Sequence, residues 1–198
     1  MGISLTADQI KTLLFQRDAH TINPIYGAGK HAAVLVPLIH QQNGWQVLFT
    51  RRSDSVNDHK GQVSFPGGSI EHSDSSPVTA ALREANEEIG LKPEHIHVLG
   101  ELPPHESVTG YIIFPVVAKI EWPVILNINS KEVSRVFTIP LDWLVQKENY
   151  EIRDWLSPFG LRHGVVFFRP YDGEQLWGIS ARIMLDLLEK LGLISSQN

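Results

Sequence analysis

Residues 67–91 read GGSIEHSDSSPVTAALREANEEIGL and contain the pattern from which the fold is predicted. The part from Pro77 to Ile89 predicts a helix that ends at Gly90, its expected C-cap. Apolar residues recur along it at i, i+4, i+7 and i+11, which forms one continuous stripe for packing. The stripe consists of Val78, Leu82, Ala85 and Ile89.

The same helix carries Glu84, Glu87 and Glu88 at i, i+3 and i+4, a spacing that predicts one shared face pointing away from the apolar stripe. Like charges on adjacent turns repel, and Arg83 offsets only part of that repulsion. Two interpretations follow: a solvated acidic face, or a site for Mg²⁺ or Mn²⁺, which prefer oxygen ligands. The preceding Gly67–Gly68 pair favours the cation site, because a glycine turn brings bare backbone and its carbonyls close to a ligand.

The rest of the chain predicts mostly strands, with few helices. A capping-box pattern begins a short amphipathic helix over about 6–17, and Asn43-Gly44 is typical of a hairpin between two strands. This order favours the α+β class, as an α/β/α sandwich with a mixed sheet, in one domain over 1–198. Strands are expected at 31–40, 45–50, 95–102, 111–120 and 165–169, and further helices at 140–145 and 180–191.

Bulk composition excludes several classes of function. The 198 residues include no cysteine, which rules out disulfides, thiolate zinc sites and a cysteine nucleophile and agrees with a cytoplasmic location. A net charge of −5 argues against nucleic acid as a partner. No apolar run approaches the ~20 residues that span a bilayer, so no membrane partner is expected. A monomer and a homodimer are both compatible with the sequence.

The segment Gly68 to Leu91 resembles the Nudix box, Gly-x5-Glu-x7-Arg-Glu-aliphatic-x-Glu-Glu-x-Gly-aliphatic. Its second half, the REANEEIG of residues 83–90, matches the pattern except for alanine at the aliphatic position. Asp74 stands at the first Glu position, and eight residues rather than seven separate it from Arg83. The resemblance implies the Nudix fold and hydrolysis of a nucleoside diphosphate linked to another group, with Mg²⁺ or Mn²⁺ as cofactor.

The aspartate and the extra residue resemble one branch of that family, the coenzyme A diphosphatases. Residues 47–68, VLFTRRSDSVNDHKGQVSFPGG, are similar to the motif that precedes the box in this branch, although Val56 and Asn57 replace its Leu-Arg and one expected cation is missing. The resemblance covers about residues 32–191. The matching positions are Thr50, Arg52, Ser53, His59, Gly61, Gln62, Val63, Phe65, Pro66, Gly67 and Gly68.

The resemblance implies a role for each box residue. Glu84 and Glu88 are the first metal ligands, with Glu87 and the Gly67 carbonyl as further ones. Arg83 orients a glutamate through an ion pair, with direct phosphate contact as the alternative. Either Glu87 or Glu132 accepts the proton of the attacking water; the other interpretation of Glu132 is an exposed residue that begins the next element.

The branch also implies a substrate, coenzyme A or an acyl-CoA, cut to adenosine 3′,5′-bisphosphate and a 4′-phosphopantetheine. Arg52 and His59 are candidates for binding the 3′-phosphate, Arg51 could replace the cation absent at Asn57, and His59 is equally readable as a loop histidine. The alternatives are hydrolysis of ADP-ribose, NADH or an oxidised nucleotide, and a Nudix domain that binds a nucleotide without cleaving it. The intact glutamates disfavour the last.

Overall fold

The computed structural model describes residues 2–15, 29–54, 60–157 and 160–195. The helices are α1 (Ala7–Phe15), α2 (Pro77–Ile89), α3 (Leu141–Leu144) and α4 (Gly178–Lys190). The strands are β1 (Lys30–Gln41), β2 (Gly44–Arg52), β3 (Val63–Ser64), β4 (Gly67–Ser69), β5 (Ile96–Glu101), β6 (His105–Glu106), β7 (Tyr111–Ile120), β8 (Val133–Pro140), β9 (Tyr150–Ser157) and β10 (Gly160–Phe168).

Strand β1 is the centre of a mixed sheet. It runs parallel to β7, with Lys30 opposite Tyr111 and Ile39 opposite Ile120, and antiparallel to β2 and β4. Strand β2 continues the sheet by pairing with β3 and β8, and β7 pairs with β5 and β6. Strands β9 and β10 form a separate two-stranded sheet.

Helices cover both faces of the mixed sheet, which confirms the predicted α+β class and the sandwich of layers. On one face, α2 packs through residues such as Ala85 and Ile89 against Leu35 and Val116. On the other face, α1, α3 and α4 pack against the alternate residues of the same strands. Among the described residues, no helix is long and apolar enough to cross a membrane.

Helix α2 has the predicted bounds and the predicted end. Ser76 caps its N-terminus by accepting a hydrogen bond from the Thr79 N–H at 3.2 Å. Gly90 ends it in the left-handed conformation at φ 67°, where glycine carries no steric penalty. The N-terminal helix shows the predicted capping box between Thr6 and Gln9 and is described as far as Phe15, so the end of the predicted range at 16–17 lies outside the described residues.

The Gly67–Gly68 pair corrects one expectation, because it lies in strand β4 and not in a turn. Gly67 pairs with Val34 of β1, and a Cβ on Gly67 would lie 2.4 Å from the Ala33 carbonyl oxygen. The glycine therefore serves close backbone approach between two strands, which leaves no room for any side chain.

Candidate active site

The three box glutamates of α2 differ in exposure. The side chain of Glu88 is 5% exposed and that of Glu84 is 14% exposed, whereas Glu87 is 54% exposed. The expectation that all three point away from the packed stripe is therefore wrong for Glu88. The reason is that Ala81, Ala85 and Glu88 are spaced i, i+4 and i+7, and this row faces the sheet.

Glu88 lies where helix α2 meets strand β4, which contains Gly67 and Gly68. Its Oε2 accepts a hydrogen bond from the Gly67 N–H at 3.3 Å, and its Oε1 is 3.8 Å from Nη1 of Arg52. Burial raises the pKa of Glu88 to about 8, although Arg52 and the Gly67 N–H oppose the rise. Repulsion from Glu84 and Glu132 adds to it, so these three carboxylates share one electrostatic environment.

Glu84 lies directly against the backbone of Gly68. A Cβ on Gly68 would be 2.6 Å from the Glu84 carboxylate, so any other residue would displace that carboxylate. Burial raises the pKa of Glu84, while its hydrogen bond and ion pair with Arg83 act in the opposite direction. Gly68 therefore makes room for the carboxylate of Glu84.

The guanidinium of Arg83 is occupied by contacts within the protein. Nε and Nη2 donate to the two oxygens of Asp74 at 3.1 and 2.9 Å, and Nη2 also donates to the Ser69 carbonyl at 3.0 Å. Nη1 donates to Glu84 at 2.9 Å and to Glu87 at 3.4 Å. These contacts fit an orienting residue between the box loop and the glutamates and leave little of the guanidinium for a phosphate.

Glu132 comes from a different part of the chain, immediately before β8. Its carbonyl accepts a hydrogen bond from the Ser53 N–H at 2.7 Å, which fixes it beside the end of β2. Its Oε1 accepts a hydrogen bond from Nδ2 of Asn129 at 2.9 Å. The half-buried carboxylate raises the pKa of both Glu84 and Glu88, which places it at the same site.

The two arginines at the end of β2 have different partners, as expected for successive residues of a strand. Arg52 lies beside Glu88, whereas Arg51 donates to Oγ of Ser134 at 3.2 Å and has Glu174 at 3.6 Å. The structure thus brings Arg52 into the carboxylate site and holds Arg51 in a separate network. His59 lies outside the described residues.

The donor set fits a divalent cation. In the portion of the chain that the structure describes, no three histidine or acidic side chains are already gathered in an arrangement that could hold a metal ion. Glu84 and Glu87 instead hydrogen-bond with Arg83. The ligands are all oxygens, and burial, the largest cause of the raised pKa of Glu88, disfavours its charged form more than Arg52 and the Gly67 N–H favour it. A bound Mg²⁺ or Mn²⁺ would supply the missing stabilisation.

Comparison with known proteins agrees with this architecture. The NUDIX domain family matches residues 29–158. The chain is 36% identical over 162 residues to a protein of Photorhabdus laumondii named uncharacterized Nudix hydrolase NudL, covering 82% of this chain and 85% of the relative. It is 38% identical over 165 residues to the NudL of Escherichia coli K12, covering 83% and 84%.

Solved structures show the same fold. A Nudix hydrolase from M. smegmatis, RenU, superposes with a TM-score of 0.55 at 20% identity, covering 85% of this chain and 89% of that one. A MutT/nudix family protein from Enterococcus faecalis gives a TM-score of 0.55 at 16% identity, covering 96% and 75%. The fold and the carboxylate site define a hydrolase of diphosphate bonds. The chain belongs to the Nudix family.

Sequence reasoning missed Asn129, the residue that holds Glu132. The only sequence signal was the Asn129–Glu132 spacing of i and i+3, which suits a local side-chain contact in a turn and is too common to single out.

Proposed function

We propose that this Nudix hydrolase acts on coenzyme A or an acyl-CoA and releases adenosine 3′,5′-bisphosphate and a 4′-phosphopantetheine. The observation that carries the proposal is the similarity of residues 47–68 to the motif that precedes the box in coenzyme A diphosphatases. Two residues of that motif, Arg52 and Gly67, both contact Glu88 of the box. This contact supports a shared site, because it brings the branch-specific segment to the carboxylates that carry the chemistry.

A cation belongs to this proposal. Glu84 and Glu88, with Glu87 and the Gly67 carbonyl, would hold Mg²⁺ or Mn²⁺. When bound, such an ion neutralises diphosphate charge and lowers the pKa of a bound water.

Water attacks one phosphorus in line, and the bond from that phosphorus to the bridging oxygen breaks. The water proton passes to a carboxylate, for which we propose Glu132. Two observations favour Glu132 over Glu87. Glu132 accepts a hydrogen bond from Asn129 at 2.9 Å and contributes to the electrostatic environment of Glu84 and Glu88. Glu87, in contrast, is 54% exposed and hydrogen-bonded to Arg83. The water oxygen stays on the attacked phosphorus, and the bridging oxygen leaves with the other phosphate.

We assign Arg52 to the diphosphate and not to the 3′-phosphate. Its side chain is 28% exposed and its Nη1 is 3.8 Å from a box carboxylate, so it can contact an anion from solvent at the point where the bond is cut. A guanidinium binds phosphate oxygens in a bidentate manner, which suits the non-bridging oxygens of a diphosphate.

The substrate is tested by measuring kcat/KM for coenzyme A, dephospho-CoA and ADP-ribose under one Mg²⁺ condition, with identification of the products. We expect coenzyme A to be preferred over ADP-ribose by at least about tenfold, since selective contacts worth ~1.5–3 kcal/mol give that ratio or more. A preference for ADP-ribose would refute the coenzyme A assignment and leave the hydrolase class standing.

The role of Arg52 has its own test with a matched neighbour. Arg52→Gln should lower kcat/KM for coenzyme A and for dephospho-CoA by the same factor, about 10- to 100-fold, because both substrates contain the diphosphate. Arg51→Gln, which breaks the contacts with Ser134 and Glu174, should change neither by more than about threefold. A loss of kcat/KM for coenzyme A alone would indicate that Arg52 binds the 3′-phosphate and would contradict our assignment.

A further inference from the structure

The segment between β7 and β8 hydrogen-bonds with the C-terminal end of helix α2. The Asn127 N–H donates to the Ile89 carbonyl and the Asn129 N–H donates to the Glu88 carbonyl, both at 2.9 Å. A Cβ on Gly90 would lie 2.7 Å from the Asn127 backbone nitrogen, so the two segments are in direct contact. Carbonyls of the last helical turn, which have no partner within a helix, are thus satisfied by this segment.

Asn129, whose backbone contacts the end of α2, also contacts Glu132 through its side chain. Its Nδ2 donates to the Glu132 carboxylate at 2.9 Å, and its Oδ1 accepts the Lys131 N–H at 3.3 Å. Its own carbonyl accepts the N–H groups of Glu132 and Val133 at 3.0 and 2.9 Å. Asn129 therefore binds both the end of the helix that carries Glu88 and the carboxylate of Glu132.

The backbone contacts place Glu132 between two elements of the site. The Ser53 N–H donates to the Glu132 carbonyl at 2.7 Å at the end of β2, and the Asn129 N–H donates to the Glu88 carbonyl at 2.9 Å at the end of α2. A glutamate side chain adopts several rotamers unless a contact fixes one of them. An amide N–H donor on a carboxylate stabilises the charged form and fixes its direction at the same time.

We propose that Asn129 is a positioning residue, which holds the Glu132 carboxylate toward the box glutamates so that it can accept the proton of the attacking water. The inference rests on the proposed function of Glu132. It adds a residue outside the box and outside the upstream motif. Asn129 itself touches neither substrate nor cation in this role; it acts through Glu132.

The experiment compares three variants. Asn129→Ala removes the amide, and Asn129→Asp retains the acceptor for the Lys131 N–H but places a negative charge against Glu132. Asn127→Ala is the matched control, since Asn127 is an exposed asparagine of the same segment that supports α2 through its backbone, which the substitution keeps. All are measured for kcat and KM in the wild-type and Glu132→Gln backgrounds, and for melting temperature in the wild-type and Glu132→Ala backgrounds.

We expect Asn129→Ala and Asn129→Asp to lower kcat about 10- to 100-fold with KM changed less than about twofold, while Asn127→Ala retains wild-type values. In the Glu132→Gln background, the same substitutions should lower kcat by less than about threefold, because the group they position has already lost its function. Asn129→Ala should also lower the melting temperature by about 3–6 °C in the wild type and by less than half of that in a Glu132→Ala background, which leaves no acceptor for the Asn129 amide.

The contrary outcomes are separable. Wild-type kcat in both Asn129 variants, or an equal loss of kcat with and without Glu132, would overturn the positioning role. An equal loss of melting temperature in the wild-type and Glu132→Ala backgrounds would overturn the contact itself, and this measurement needs no turnover. If Asn129→Ala fails to fold, Asn129→Asp decides the question. No hydrolysis of any diphosphate by the wild type would overturn the proposed function and with it the positioning role of Asn129.

Discussion

Replacing Asp74 by asparagine removes the charge that fixes Arg83 while changing the shape of the side chain very little. The Asp74 side chain is 3% exposed and accepts three hydrogen bonds, from Nε and Nη2 of Arg83 at 3.1 and 2.9 Å and from the Glu71 N–H at 2.8 Å. An amide offers a single acceptor oxygen. Whichever way the introduced amide is turned, its NH₂ group faces at least one of these donors.

The expected loss follows from those contacts. Hydrogen bonds to charged groups contribute about 1.5–3 kcal/mol, and breaking a buried ion pair costs about 3–5 kcal/mol. Arg83 keeps its contacts with Glu84 and Glu87, so we expect the lower part of this range, a loss of about 2–3 kcal/mol in the free energy of unfolding. For a chain of this length that corresponds to a melting temperature lower by about 5–10 °C.

The pKa of Asp74 determines how the stability loss in Asp74→Asn depends on pH. Hydrogen bonding to Arg83 lowers the pKa of Asp74 below its ordinary value of 3.8. A carboxylate with a lowered pKa stabilises the folded state above its ordinary pKa and loses that contribution as the pH falls through the lowered value. The difference between wild type and Asp74→Asn should therefore be constant from about pH 5 to 7 and should shrink below about pH 4.

Urea denaturation between pH 3.5 and 7 measures both quantities. Glu71→Gln is the control, because this carboxylate is 62% exposed and 4.0 Å from the same guanidinium, a pair expected to contribute less than about 0.5 kcal/mol. The reasoning is refuted if Asp74→Asn behaves like Glu71→Gln at pH 7, or if its deficit is undiminished at the acid end of the range.

Three further predictions concern the site itself. Glu88→Gln should lower kcat by about 100-fold or more without loss of the fold, checked by steady-state kinetics and circular dichroism, because charge stabilisation of several kcal/mol depends on the cation for which we propose Glu88 as a ligand. Removal of divalent cations with a chelator should abolish hydrolysis, and Mg²⁺ or Mn²⁺ should restore it; full turnover in a metal-free preparation would contradict the mechanism. Gly68→Ala should lower kcat about tenfold with a small change in melting temperature, since the three atoms nearest to its Cβ belong to the movable Glu84 carboxylate. Gly67→Ala should instead destabilise the fold, because its Cβ meets the backbone of Ala33 and Val34.

The parts of the fold that sequence predicted well have local causes. Helix α2 carries its own periodicity and its own terminating glycine, and β7 has a long apolar run, so their bounds agree with the structure. Strands β8 and β9 were not among the predicted strands. The sequence of β9, YEIRDWLS, is rich in charge, and its strand conformation is supported by pairing with β10, a contact between segments that local patterns do not record.

The candidate site was predictable in its residue types but less so in its geometry. The box and its upstream motif named Glu84, Glu88 and Arg52 in advance. They could not reveal that Glu88 is buried, because a helical wheel gives relative directions and not the direction of the sheet. The choice between Arg51 and Arg52 likewise depends on which face of β2 meets α2, which only the packed structure supplies.

The distribution of positive charge is compatible with the proposed cation, although two arginines lie beside the glutamates. Arg83 donates hydrogen bonds to Asp74, Glu84 and Glu87. Its positive charge is therefore largely balanced by Asp74, which leaves less of it for the two glutamates. Arg52 approaches Glu88 only to 3.8 Å, beyond hydrogen-bond distance, and the pKa of Glu88 stays raised to about 8. A shorter Arg52–Glu88 pair would offset the desolvation of Glu88 and would compete with the proposed cation. At the observed spacing the desolvation is not fully offset, and a divalent ion bound with an anionic diphosphate would stabilise the Glu88 carboxylate while the diphosphate contacts Arg52.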